Sequence, residues 1–201
     1  MVIMQESVEK RVLNQIDGFD PGKVFFAETF LEISNAKAIN KALELLAKKD
    51  KIARVATGIY TKPKISDVLG RLTPPTEDIA AAIAKRDRAR IVPTGNYALH
   101  ALGLSTQVPL KIVYLTDGAS RKIDLGNRNI IFKKTAPKNL EAKGPISRLV
   151  IQALKAIGKN RVQPFEEKKI AALLSTEKKE YLEHDILLAP EWIRKIMRKS
   201  L

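Results

Sequence analysis

Lys37, Asn40 and Lys41 stand at i, i+3 and i+4 within SNAKAINKALELLAKKDKIARVATGIYTKP, residues 34–63, a spacing that sets all three on one side of a helix. These side-chain types suit the reading of a DNA duplex. An amide offers adenine a donor and an acceptor together, and an ammonium reaches guanine or a phosphate oxygen. Further on, Arg54, Thr57 and Lys62 would bring donors to adjacent backbone or minor groove. The helix that must carry the first three is expected over residues 34–48, capped by Ser34 or Asn35, with Ile39, Leu43 and Leu46 forming its apolar stripe. Two short β-prone runs follow, residues 52–55 and 59–61, joined through Thr57-Gly58, so the stretch reads as the second half of a winged helix-turn-helix.

Other chemistry has little material. The two histidines, His100 and His184, are far apart and each lies on an amphipathic helical pattern, which favours structural or surface roles. Asp117 or Asp124 after a strand, followed by Glu141-Ala142-Lys143, imitates the acid and acid-x-lysine layout with which some nucleases bind a divalent metal. Those enzymes carry the motif on a strand, whereas PKNLEAKGP reads as a short helix and turn. A strand, glycine turn and helix start at residues 90–102 lack the spaced glycines and lysine-serine of a P-loop. No catalytic residue, metal ligand or cofactor is therefore assigned, the sequence is not read as an enzyme, and a metal-dependent nuclease stands as the alternative. With no cysteine in the chain, disulfides, thiolate catalysis and cysteine-based zinc fingers are excluded.

At 201 residues, 45% hydrophobic and 29% charged, the chain has ordinary globular composition. There is no apolar run long enough to span a membrane and no signal-peptide layout at the N-terminus, so a cytoplasmic protein without a membrane partner is expected. The net charge of +14 is the strongest global signal, because a basic surface is drawn to phosphate backbones by counterion release. It is spread along the chain: 12 Lys+Arg face 9 Asp+Glu in residues 1–72, 12 face 6 in 73–145, and 12 face 7 in 146–201.

Along the chain, residues 7–16 form a first helical pattern stopped by Asp17-Gly18, residues 23–26 a short β-prone run and residues 27–33 a brief helix, and across these two Phe25, Phe26 and Phe30 read as core. Residues 64–75 read as a connector. A domain boundary is placed near Thr73, giving a winged helix-turn-helix over residues 1–72 and an α+β domain over 73–201. In the second, strands at 111–115, 121–125 and 129–134 suggest an antiparallel meander, and a helical half begins at Ser147.

The wing segment KKDKIARVATGIYTKP, then PPTEDIAAAIAKR, RIVPTGNYALHALGLSTQVP, KIVYLTDGASRKI, GNRNIIFK and LLAPEWIRKI, resemble the AbiEi-like antitoxins of type IV toxin-antitoxin and abortive-infection systems, in a branch long catalogued as a domain of unknown function. That resemblance implies an N-terminal winged helix repressing its own operon. It also implies a C-terminal domain needed for antitoxin activity, and a neighbouring nucleotidyltransferase-like toxin with which stable contact is not required. Carried onto this chain, it implies that residues 35–41 and 54–60, Asn35 and Tyr60 among them, face operator DNA, and it implies no catalytic residue.

Overall fold

The computed structural model describes residues 6–201, a mixed α+β chain with eight α-helices among those residues. It divides into two compact units, Met1–Ile83 and Ala84–Leu201, a division that falls inside the helix Thr76–Arg86.

In the first unit, α1 (Val8–Asp17) starts where the Ser7 hydroxyl accepts the Lys10 N–H, and it buries Val12 and Ile16. A two-residue strand, β1 (Val24–Phe25), and a 3-10 turn over Ala27–Phe30 lead to α2 (Ala36–Lys48). The Asn35 side chain caps α2 by accepting the Ala38 N–H at 3.0 Å. Ile39, Ala42, Leu43 and Leu46 form its buried stripe. β2 (Ala53–Ala56) and β3 (Ile59–Thr61) follow as a hairpin, with Gly58 at φ 72° in the turn. The sheet order is β1-β3-β2, all antiparallel, so β3 is central and its three residues are buried. Phe19, Phe25, Phe30 and Tyr60 pack ring against ring beneath it, with Phe25 and Phe30 edge to face at 5.6 Å.

Residues 64–75 are more than a connector. They include a second hairpin, β4 (Lys64–Ser66) and β5 (Gly70–Leu72), whose Ile65, Val68 and Leu69 are exposed. Its Arg71 holds both the carboxylate and the carbonyl of Asp50, just past α2. The pattern hid this hairpin because its apolar residues point to no core. α3 (Thr76–Arg86) then buries Ile79, Ala80 and Ile83.

The second unit holds β6 (Ile91–Thr94), α4 (Asn96–Ala101), β7 (Lys111–Thr116), β8 (Arg121–Asp124) and β9 (Asn129–Lys134). Its sheet corrects the expected meander. The order is β6-β7-β9-β8, with β7 and β9 parallel and only the outer pairs antiparallel. Burial explains the insertion. β9 contributes Ile130 and Phe132 to the core, and Tyr114 of β7 stacks on Phe132 at 5.9 Å, whereas β8 alternates exposed Lys122 and Asp124 and suits an edge. Pro93 sits on the other edge strand, where its missing N–H is tolerated.

Four helices complete the unit: α5 (Pro145–Ile157), α6 (Pro164–Leu174), α7 (Lys179–Leu188) and α8 (Glu191–Met197). Their shared core includes Val150, Leu154, Ile170, Leu174, Ile186, Ile193 and Met197, with Trp192 packed against it. The first turn of α5 has no local cap. Two carboxylates supply one instead: Asp185 of α7 accepts the Lys143 and Gly144 N–H groups, both at 2.8 Å, and the Ser147 hydroxyl, while Glu177 accepts the Ile146 and Ser147 N–H groups. A side chain at Gly144 would collide with Ser147 Oγ and Glu177 Oε2, so this knot requires glycine there.

Asp117 bonds both the Arg90 N–H and its guanidinium at 2.8 Å, which holds its carboxyl below the ordinary 3.8. A depressed folded-state pKa gives stability that is present above the ordinary value and lost as pH falls through the folded one. Urea unfolding of wild type against Asp117→Asn should therefore diverge above about pH 4 and converge in stronger acid. Equal divergence at every pH would remove this pair from the acid response.

Candidate nucleic-acid interface

The Asn35 cap fixes where α2 begins, and the buried stripe fixes its rotation, so the residues between stripe positions must face outward. Lys37, Asn40, Lys41 and Glu44 are exposed there. Lys37 and Lys41 have no ion pair or hydrogen bond among the described residues. Towards the other end, Lys48 pairs with Glu44 and Lys49 with Glu9. The free cations of α2 thus concentrate in its N-terminal half, the half that reads bases in helix-turn-helix proteins. Arg54 and Thr57 are exposed on the adjoining hairpin, Arg54 also without a partner among the described residues.

Two of the anticipated contacts lie elsewhere. Tyr60 is 5% exposed and stacks on Phe25 at 6.3 Å, because it belongs to the central strand of its sheet. Lys62 is turned back: its ammonium donates to the Asp17 and Phe19 carbonyls at 2.8 and 2.7 Å, neutralising the C-terminal end of α1. Asn35 is exposed, with its side-chain oxygen engaged as the helix cap.

In the second unit, two of the four cations in the basic cluster 85–90 are tied up, while Lys85 and Arg88 are exposed. Asp87 takes Arg86 at 2.8 Å and also Arg121, which lies over the Phe132 ring; burial, and then repulsion from Arg86, lower the Arg121 pKa. Arg90 is held by Asp117. The residues of the nuclease-like constellation also have separate work. Asp124 accepts the Gly126 N–H in a turn, and the Lys143 N–H serves the α5 knot. Among the described residues, no group of three or more His, Asp or Glu side chains is arranged to hold a metal ion. His184 bonds Asp185 at 2.7 Å, and His100 Nδ1 is buried without a partner among the described residues. No helix among the described residues is long and apolar enough to cross a membrane.

Comparison with solved structures finds the RV2827C protein of Mycobacterium tuberculosis, at 13% identity and a TM-score of 0.49, covering 96% of this chain and 82% of that one. No curated protein matches. The model of a family of unknown function, DUF6088, matches residues 11–182, most of both units, and the chain belongs to that family.

Proposed function

We propose that the first unit is a winged helix-turn-helix in which α2 is the recognition helix and the β2-β3 hairpin the wing. In this reading the protein binds double-stranded DNA at its own operator as a transcriptional autoregulator. It acts as the antitoxin of a type IV toxin-antitoxin, or abortive-infection, system whose toxin is nucleotidyltransferase-like. The supporting observation is the unpaired, exposed Lys37 and Lys41 flanking Asn40 on the N-terminal half of a helix that runs directly into a hairpin carrying Arg54 and Thr57. The antitoxin assignment rests on the sequence resemblance, and its partner toxin need not touch this chain.

Gel-shift titration with the DNA immediately upstream of the gene tests the reading. Lys37→Ala with Lys41→Ala should weaken binding and reduce the slope of log affinity against log salt by up to about two, since each lost phosphate contact removes about 0.9. An unchanged slope and affinity would remove α2 from the interface. Co-expression with a nucleotidyltransferase-like gene adjacent to this one tests the antitoxin half, and growth arrest despite this protein would sink it.

A further inference from the structure

The second unit holds another concentration of unpaired cations. Lys138, from the 3-10 turn Pro137–Leu140, lines one cleft with Arg148, Gln152 and Lys155 of α5. The last three stand at i, i+4 and i+7, so one helix face presents them all. None of the three cations has an ion-pair partner among the described residues. One buried donor is also left without work, and an amide stands free beside it. Among the described residues Arg148 Nε is buried with no hydrogen-bond partner, and the side-chain amide of the largely buried Gln152 makes no hydrogen bond within the protein. Buried polar groups are ordinarily satisfied, and an exception points to a missing ion, water or ligand. Crowding by protein around the Lys155 ammonium also holds its pKa below the ordinary lysine range, a desolvation that a neighbouring anion would offset.

We propose that this cleft seats one oxygen of a phosphate group, to which Arg148 and Gln152 donate, with Lys138 and Lys155 meeting the outer oxygens. A planar guanidinium fork beside an amide matches tetrahedral oxyanion geometry, and the flanking ammonium groups supply charge. The cleft encloses about 20 Å³, room for about one water-sized group. It therefore takes a phosphate oxygen and leaves the rest of the ligand outside, as suits the end of a small phosphorylated molecule or one backbone phosphate of a nucleic-acid strand. The site lies in the second unit and does not depend on how α2 meets DNA.

The test is titration of the full-length protein with inorganic pyrophosphate by calorimetry, and with a short oligothymidylate by fluorescence anisotropy. Saturable binding of either probe is expected. Pyrophosphate alone would identify a small ligand, and oligothymidylate alone a strand. Arg148→Gln should weaken it by about tenfold or more, and Gln152→Leu, which leaves the charge unchanged, by about threefold or more. Lys195→Gln, which removes an exposed charge on α8, should leave affinity within about twofold. Should Arg148→Gln fail a circular-dichroism check of folding, Lys138→Ala on the exposed turn should weaken binding by about threefold in its place. No saturable binding of either probe, an unaffected Gln152→Leu variant, or equal losses in Lys195→Gln and the cleft variants would overturn the proposal.

Discussion

Asp185→Ala should destabilise the second unit by about 3 kcal/mol or more, and lower its melting midpoint by about 10 °C. Asp185 is fully buried, and its carboxylate accepts from the Lys143 and Gly144 N–H groups, the Ser147 hydroxyl and the His184 ring. Alanine removes one group and strands several. Buried donors that lose their acceptor forfeit the full desolvation cost, which is why the expected effect exceeds that of a surface cap. Asp185→Asn keeps one acceptor oxygen and should fall between. Trp192, the chain's one tryptophan, packs against the core of this unit, so its fluorescence during urea unfolding reports the change directly. A midpoint within error of wild type would mean that the knot at the start of α5 contributes nothing to stability.

Phe30→Ala should cost the first unit about 3–5 kcal/mol. Its ring has no exposure and meets Phe25 edge to face at 5.6 Å and Phe19 at 6.1 Å, in the same buried cluster as Ile39, Leu43 and Leu46 of α2. Truncation leaves a cavity under the helix proposed to read DNA. Amide hydrogen exchange in α1 and α2 should accelerate, and Phe30→Leu should recover roughly half the loss, because leucine restores most of the volume. DNA binding should fall with stability here. In the Lys37 and Lys41 double variant it should fall with stability unchanged, and this contrast separates positioning from contact.

The local signals served the first unit well. The cap at Asn35, the stripe of Ile39, Leu43 and Leu46, and the turn at Thr57-Gly58 each depend on residues within about one turn or hairpin of one another, and each appears where the spacing predicts. The three phenylalanines are core for the same reason. The face carrying Lys37, Asn40 and Lys41 follows from that stripe. Tyr60 and Lys62 did not follow, because strand alternation gives a side but not which neighbours cover it. Only the pairing of β3 between β1 and β2 buries Tyr60, and only the return of the chain past α1 gives the Lys62 ammonium two carbonyls.

In the second unit the balance shifts toward long-range contacts. The strands at 111–116, 121–124 and 129–134 were legible as β-prone runs, and a meander was the simplest way to join them. Their order was decided by which strand had to be apolar on a covered face while bonded on both edges, a property of the assembled sheet. Periodicity and caps act over a few residues, so the helices of both units and the outward face of α2 were legible in the chain, and the excess of positive charge follows from composition alone. Only the tertiary structure brought Glu177 and Asp185 to the start of α5, and set Lys138 beside Arg148 and Lys155. The carboxylates of Asp185 and Glu177 stand 41 and 31 residues from N–H groups they hold, and it is burial that makes an unpaired donor costly and so gives each meeting its consequence.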